Sequence, residues 1–443
     1  MIDPYRKTVI FLSSLINYER KKVNYNDFKL IRFLNFLSEI GNPHLSLKNP
    51  ILIAGTKGKG STAMLLGNCL KECGYKVGIF TSPHLLSFRE RIQFQNHPIE
   101  KEEFTELTFQ LKKLIKKHKL TFFESLTAIA FLFFLKKEPD FVVLEVGLGG
   151  RLDATNVVKP IFSIITRIDY DHTEILGNTL PKIAFEKAGI IHQDIPLITF
   201  RQRKSVDKIF QKVCVNKNSQ IFYSDDYFSF QLINISPSGT SFVVNFLKKT
   251  FENNLKKDVI HTNLIGDFQK ENIGLALTTL FLLAKNHKLI NYPNIKKAIN
   301  NIPLLGRISY ISYNGGFLIV DTAHNPISIK CLKDTLLKMN NTKKYFFLFG
   351  ISKDKDSYRI LKFLKPICQE IALTKAKTKR ATPLNKLKEI AQKLRLKHRA
   401  FSSVKKAFNY IFKKANKEKK LLVITGSFYL AGDILRLLQV NKK

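Results

Sequence analysis

Eight residues, Gly55-Thr56-Lys57-Gly58-Lys59-Gly60-Ser61-Thr62, constrain this chain more than any others. They follow the apolar run Ile51 to Ala54 and open a helical pattern that runs from about Gly60 to Gly74. A glycine-rich turn between a buried strand and a helix is the setting of a phosphate loop. Glycines let backbone N–H groups close around phosphate oxygens, and the helix N-terminus adds the positive end of its dipole. Lys59 has the reach for β- and γ-phosphates, and Ser61 can approach phosphate or magnesium. The strict Walker spacing is not met, because two residues separate Gly55 from Gly58 and Gly60 intervenes between Lys59 and Ser61. The competing reading is an ordinary strand-to-helix turn.

Short apolar runs alternate with longer amphipathic ones up to about residue 200, as in a parallel sheet wrapped by helices. The pattern predicts strands at Ile51 to Ala54, Lys76 to Phe80, Phe141 to Val146 and Ile161 to Thr166. Thr121 and Glu124 have capping-box spacing ahead of an apolar helix that ends at Pro139-Asp140. Its core, Leu126 to Leu135, is about half the roughly 20 residues a bilayer needs and reads as a buried helix. Alternation around Ser241 to Phe246 predicts an antiparallel insertion over about 215–260, and a helix resumes from Gln269 to about Lys285. Asn291-Tyr292-Pro293 and Ile302-Pro303 bracket an expected interdomain region. After Arg307 strands are expected at Phe317 to Val320, Tyr345 to Phe349, Glu370 to Leu373 and Leu421 to Thr425. A chain of 443 residues exceeds one ordinary core, so two domains are expected, 1–298 and 299–443.

The formal charge of +38 would suit a polyanionic partner. Its surplus reads as spread along the chain, in pairs such as Lys112-Lys113, Lys136-Lys137 and Lys343-Lys344 and the run Lys417 to Lys420, so no nucleic acid partner is expected. A positive field that gathers phosphorylated or carboxylated substrates fits instead. Cys69, Cys73, Cys214, Cys331 and Cys368 lack metal-type or disulfide-type spacing and read as buried free thiols. The start, Met1-Ile2-Asp3-Pro4-Tyr5-Arg6, lacks the order of a secretory signal, so a cytoplasmic protein with no membrane partner is expected.

Three further segments sit where strand ends should deliver them to the same sheet edge. Glu145 closes the run Phe141 to Leu144, where a buried carboxylate needs a partner and a hard cation suits it. The polar stretch Gly147 to Asn156 follows it. Asp171-His172 comes after the Ile161 to Thr166 strand, and Ser82, in Thr81-Ser82-Pro83-His84-Leu85, after the Lys76 to Phe80 strand. Taken singly, Asp171-His172 has a plain reading as a surface turn and Ser82 as a proline turn. Ligands of α/β folds favour the carboxyl edge of the sheet, which joins them into one constellation.

These elements, in this order, resemble the folylpolyglutamate synthase and dihydrofolate synthase family of Mur-type ligases. The likeness runs from Leu37 to Pro43 through the phosphate loop, Thr81 to Leu85, Phe88 to Ile92, Thr121 to Glu124 and Glu145 to Asn156. It continues through Asp171-His172, Glu186 to Ile190, Asp321 to Pro326 and Thr425-Gly426-Ser427. The resemblance implies an α/β fold with a P-loop Mur-ligase-like ATPase domain and a smaller C-terminal Rossmann-like α/β domain. It implies ATP as co-substrate and one or two Mg²⁺ ions. It also implies L-glutamate and a pterin or folate acceptor as partners, with the chain acting as a monomer.

By motif, the resemblance gives the phosphates to Gly58, Lys59, Gly60, Ser61 and Thr62, and further ATP contacts to Asn272, Arg307 and Asp321. Ser82, Glu145 and His172 become metal ligands, and Lys59, Lys187 and His172 the catalytic set, with Lys187 a carbamylated lysine. The competing reading of Lys187 is a surface lysine beside Glu186. Thr121, Phe122, Phe123, Glu124, Leu152, Asp153 and Ala154 would line the acceptor site. His324 and Asn325 would lie near the incoming amino acid or the nucleotide. Two positions depart from the family pattern, Lys57 where Asn is usual and Phe268 where His is usual.

The implied reaction is ATP-dependent ligation of L-glutamate to dihydropteroate, to a folate already carrying glutamate, or to both, through an acyl phosphate. A Mur-type enzyme acting on a cell-wall precursor and a basic nucleic-acid-binding NTPase are the rivals. If the loop holds ATP, Lys59→Ala abolishes ligation while circular dichroism shows the fold retained. Near-normal turnover in that purified variant sinks the assignment.

Overall fold

The computed structural model describes residues 3–16, 30–248, 255–339, 344–376, 378 and 380–440, the last two by backbone only. Met1, Ile2 and Lys343 therefore lie outside the described residues. The strands, in chain order, are β1 (Pro50–Ala54), β2 (Val77–Phe80), β3 (Ile92–Phe94), β4 (His97–Pro98), β5 (Phe141–Glu145), β6 (Phe162–Ile165), β7 (Leu197–Thr199) and β8 (Ile221–Tyr223). Then come β9 (Phe228–Ser236), β10 (Gly239–Phe246), β11 (Lys257–Thr262), β12 (Ser309–Tyr313), β13 (Gly316–Val320), β14 (Tyr345–Phe349), β15 (Cys368–Thr374), β16 (His398–Phe401) and β17 (Leu422–Thr425).

Strands β1, β2 and β5 are buried at every position, which is why they read as unbroken apolar runs. They belong to an eight-stranded sheet ordered β4-β3-β2-β5-β1-β6-β7-β8. Its pairings are parallel from β2 across to β8, and β3 and β4 extend one edge antiparallel. The helix Phe122–Lys137 buries Leu126, Ile129, Phe131 and Phe134, and its capping box is formed. Glu124 N–H donates to Thr121 Oγ1 at 3.2 Å, and Thr121 N–H to Glu124 Oε2 at 2.7 Å. Among the described residues no helix is long and apolar enough to cross a membrane.

A second sheet of six strands is ordered β12-β13-β17-β14-β15-β16, parallel except at β12, and a third, antiparallel, is ordered β11-β10-β9. The core of the six-stranded layer gathers Ile319, Leu332, Phe347, Phe349, Ile360, Ile371 and Val423. This mixed α/β architecture is the one the resemblance implies.

The chain divides into two compact units, 1–230 with 244–260 and 270–302, and 231–243 with 261–269 and 303–443. Residues 231–243 and 261–269 thus group with the later stretch and not with 1–298, because Ile235 and Ile265 belong to the same buried cluster as Ile319 and Leu332. Other expectations also shift. The antiparallel insertion begins at β9, since residues up to Asn216 finish a helix and β8 pairs parallel with β7. The expected interdomain region contains the helix Tyr292–Asn300. It buries Ile295, Ala298 and Ile299 and is tied to the helix Lys59–Glu72 by Asn68 Nδ2 donating to Ala298 O at 2.9 Å. Cys331 is exposed, unlike the other four thiols, because it lies on the outer face of the helix Pro326–Met339.

Gly78 of β2 lets the Phe134 ring pack directly on the strand: a Cβ there would lie 2.7 Å from Phe134 Cδ1. Gly78→Ala therefore overpacks the core and costs about 1–3 kcal/mol. A urea midpoint that falls with an unchanged slope is the expected result.

Candidate active site

Strand β1 lies between β5 and β6, with Ile53 opposite Glu145 and Ala54 opposite Ile165. The three carboxyl ends consequently converge, and each delivers one part of the site. The glycine loop leaves β1 in a conformation that other residues reach poorly, with φ of +146° at Gly55 and +93° at Gly58. Space requires glycine as well. A Cβ on Gly55 would lie 1.8 Å from Thr166 Oγ1, and one on Gly58 2.2 Å from Asn272 Oδ1. Asn272 Oδ1 also accepts from Thr62 Oγ1 at 3.3 Å. No side chain caps the helix that starts at Lys59, which leaves its first-turn N–H groups for a ligand.

The loop is stitched to the turn that follows β6. Thr56 and Lys57 N–H groups donate to Arg167 O at 2.8 and 3.3 Å, and Thr56 Oγ1 donates to Asp169 O at 3.1 Å. Lys57 Nζ pairs with Asp171 Oδ2 at 2.9 Å, and Asp171 Oδ1 accepts the His172 N–H at 3.1 Å. His172 itself has φ +49° and a half-exposed side chain. The lysine that departs from the family pattern thus bolts the phosphate loop to the turn carrying His172.

Two ammonium-bearing side chains share one acceptor. Gly55 O accepts from Lys187 Nζ at 2.8 Å and from Lys59 Nζ at 3.1 Å. Lys187 is only 4% exposed, so it is not a surface lysine. Burial first, then the charge of Lys59 and, more weakly, of Lys57, bring its amine down to about 7, against the opposing pull of Asp171 and Asp153. Its neighbour Glu186 turns the other way and pairs with Arg151 at 3.2 Å.

On the β5 side, Glu145 is 2% exposed and its Oε2 accepts the Ser82 N–H at 2.8 Å. A Cβ on Gly60 would stand 3.2 Å from the same oxygen, so the phosphate loop and this carboxylate are neighbours. Asp153 is buried and accepts from Leu148 N–H at 2.9 Å and from Thr155 N–H and Oγ1 at 3.0 and 2.6 Å; burial pushes its carboxyl above the usual range. Glu124 is held by Thr121 and by Arg32, whose Nη2 lies 2.7 Å from Oε1. Arg32 carries no sequence signal for this role, being 92 residues away. Phe122 is in the core, 5.0 Å from the Phe88 ring, with the Arg91 guanidinium 5.1 Å over its own. Phe123 stays partly exposed and rests against Gly147, as Leu152 stays partly exposed while Ala154 is buried.

The second unit builds its own cluster at the ends of β13 and β17. Buried Asp321 accepts N–H bonds from Ile308 at 3.0 Å and Ala323 at 2.8 Å, and burial raises its carboxyl. Arg307 donates to Thr322 Oγ1 at 2.5 Å and lies 5.0 Å over the Phe428 ring. His324 Nδ1 donates to Thr322 O at 2.9 Å, which fixes the proton on that nitrogen. Asn325 Oδ1 accepts from Ser328 N–H at 3.0 Å and Ser328 Oγ at 2.6 Å, so this side chain caps its helix.

The chain as a whole is similar to several known proteins. The Mur ligase middle domain matches residues 53–280, and the Mur ligase glutamate ligase domain matches 306–428. A dihydrofolate synthase/folylpolyglutamate synthase of Bacillus subtilis is 30% identical over 92% of this chain and 94% of its own. One from Buchnera aphidicola of Acyrthosiphon pisum is 31% identical over 99% and 100%. The crystal structure of folylpolyglutamate synthase from Thermotoga maritima superposes with a TM-score of 0.83 at 31% identity, covering 99% of this chain and 97% of that one. The Mycobacterium tuberculosis folylpolyglutamate synthase complexed with ADP and AMPPCP gives 0.85 at 26% identity, over 93% and 95%. A Mur-type ligase is the class that the fold and the phosphate site define. Within it, the chain belongs to the dihydrofolate synthase/folylpolyglutamate synthase family.

The buried amine has a consequence for stability. In the unfolded chain Lys187 stays protonated up to its ordinary value near 10.5, whereas in the folded protein it loses its proton near 7. Between those values the unfolded state binds the extra proton, so this group makes stability rise with pH across that window and is at its most unfavourable below it. In CO₂-depleted buffer, the unfolding free energy of the native chain relative to Lys187→Met should climb from about pH 7 to about pH 9. A pH-independent difference in urea titrations would show that the amine keeps an ordinary value.

Proposed function

We propose that this chain ligates L-glutamate to dihydropteroate, to a folate already carrying glutamate, or to both, at the expense of ATP. The single observation that carries this reading is the junction of the phosphate loop with Glu145 and Lys187, in a chain of this family. A free carboxylate is a poor electrophile, so it needs a leaving group before an amine can displace it. An oxygen of the acceptor's carboxylate attacks the γ-phosphorus, the bond to the β,γ-bridging oxygen breaks, and ADP departs with that electron pair. The glutamate nitrogen then attacks the acyl carbon, inorganic phosphate leaves, and the nitrogen gives up a proton to form the amide.

Lys59 and the first-turn N–H groups from Gly58 to Ser61 hold and neutralise the transferring phosphate, while the Thr62 N–H closes the first helical turn on Gly58 O at 2.8 Å. Asn272 fixes the loop from its far side. The donor set at the β2 and β5 ends suits a hard cation: Glu145 is a buried carboxylate beside the loop, and Ser82 is its direct neighbour. Mg²⁺ would be held by Ser82, Glu145 and His172, and when bound it would offset negative charge on the phosphoryl oxygens. Lys187 is the carbamate: at its lowered value the neutral amine can attack CO₂ and lose a proton, turning a cation into an anion beside Lys59. Phe123 and Leu152, with exposed surface, line the acceptor, while Thr121, Phe122, Glu124, Asp153 and Ala154 shape that wall from behind. Arg307, Asp321 and His324 serve nucleotide and amino acid from the second unit. The expectation of a monomer rests on the resemblance.

The deciding assay follows ADP release and product mass with ATP, Mg²⁺ and glutamate, giving dihydropteroate, a monoglutamyl tetrahydrofolate or a nucleotide-linked muramyl acceptor in turn. Glutamate-dependent ADP release with a product one glutamyl residue heavier is expected for one or both pterin acceptors. Turnover only with the muramyl acceptor would overturn the reading.

A further inference from the structure

The surplus of positive charge is not evenly spread. Residues 386–420 hold 13 Lys and Arg against two Asp and Glu, whereas the other 408 residues hold 60 against 33. General compositional drift toward lysine raises charge everywhere and does not make such a contrast. In the fold this segment surrounds one sheet edge. It comprises the helix Leu384–Lys393, the strand β16 and the helix Val404–Lys417, and β16 is the edge of the six-stranded sheet.

Its basic groups are interleaved with aromatic rings. The Arg399 guanidinium on β16 is exposed and lies 5.7 Å from the Phe401 ring and 4.9 Å from that of Tyr410, and the two rings are 5.0 Å apart. On the neighbouring helix Lys393 Nζ stands 5.6 Å over Tyr358, itself 39% exposed. Lys406, Tyr410, Lys413 and Lys417 recur at helical spacing and form one stripe along the outer helix. At about 1.5 Å per residue that stripe is roughly 16 Å long. It matches about five phosphates of a stacked strand at ~3.4 Å each. Glu370 occupies Lys414 and Lys397, at 2.9 and 3.5 Å, and Glu418 pairs with Lys420 at 3.2 Å. Lys406, Lys413 and Lys417 are exposed and enter no ion pair among the described residues.

We propose that this edge of the second unit binds single-stranded nucleic acid without sequence preference, as an activity separate from ligation. Phosphates meet the lysine stripe, and bases stack on the Arg399, Phe401 and Tyr410 platform. A membrane surface fits less well. Between 386 and 420 no described residue is a large exposed apolar side chain that would enter a bilayer.

The test uses the full chain and a fluorescent oligouridylate of about 12 nucleotides, within the site sizes of such grooves. Anisotropy is read at several salt concentrations. The triple variant Lys406→Glu, Lys413→Glu, Lys417→Glu should bind at least about tenfold more weakly near 0.1 M salt. Its log–log salt slope should be shallower by about two, at ~0.7 per phosphate contact. The matched triple Lys204→Glu, Lys208→Glu, Lys212→Glu, exposed on a helix of the first unit, makes the same change in net charge and should bind like the native chain. Gln at the three stripe positions, which adds no acid, should shift affinity in the same direction as Glu, and circular dichroism checks each fold. Equal loss in both Glu triples would show a diffuse field and overturn the proposal. So would no binding by the native chain near 0.1 M salt, or capture by phosphatidylserine vesicles that the oligonucleotide cannot displace.

Discussion

The first unit depends on strand β1 being hydrogen-bonded on both sides, to β5 and to β6. That pairing is a matter of backbone geometry and buried apolar residues, and it brings no chemistry by itself. Its effect is to put three chain ends at one edge with a register fixed to the residue, so that Glu145 stands beside Ile53 and Ile165 beside Ala54. Everything polar at that edge is then arranged by short local contacts. The glycine loop bends back against Thr166 and Asn272, the turn after β6 is tied down through Lys57 and Asp171, and Lys187 reaches in from its helix to the Gly55 carbonyl.

Electrostatically the site is a concentration of like charge held together by a few dipoles and carboxylates. The charges of Lys59 and Lys57 both bear on Lys187, the most buried of the three, and its amine drops to about 7. Such an arrangement costs stability in the absence of an anion and favours occupation by a phosphate chain. The second unit resolves a similar tension differently. Asp321 is buried and uses both oxygens to hold backbone N–H groups of Ile308 and Ala323, so its charge is spent on shaping the loop around Arg307.

Much of this was legible in the sequence, and the reasons are physical. Strands buried at every position leave continuous apolar runs, so β1, β5, β14 and β17 could be read off directly, and β13 is as apolar although its Phe317 is 48% exposed. The capping box at Thr121 and Glu124 is a local motif and was equally visible. Edge strands were not: His398-Arg399-Ala400-Phe401 has too little apolar surface to announce β16, and Ser309–Tyr313 is in the same position. Within the site, residue types and order pointed to Lys59, Glu145, Ser82 and His172. The burial of Phe122, the Arg32 to Glu124 pair and the meeting of two lysines on Gly55 depend on contacts between distant parts of the chain. The local clustering of charge between 386 and 420 was present in the sequence, yet only its wrapping around one sheet edge gives it a shape.

The contact between Gly58 and Asn272 bears on how this site can change. Because the amide oxygen occupies the place where any side chain at position 58 would begin, the loop and the start of the helix Gln269–Ala284 are two halves of one fitted joint, 214 residues apart in the chain. The natural unit of inheritance, or of transplantation between related enzymes, is therefore not the contiguous glycine motif. It is the motif together with the face of a distant helix, and a hybrid that carries one without the other inherits a loop with nothing to lean on.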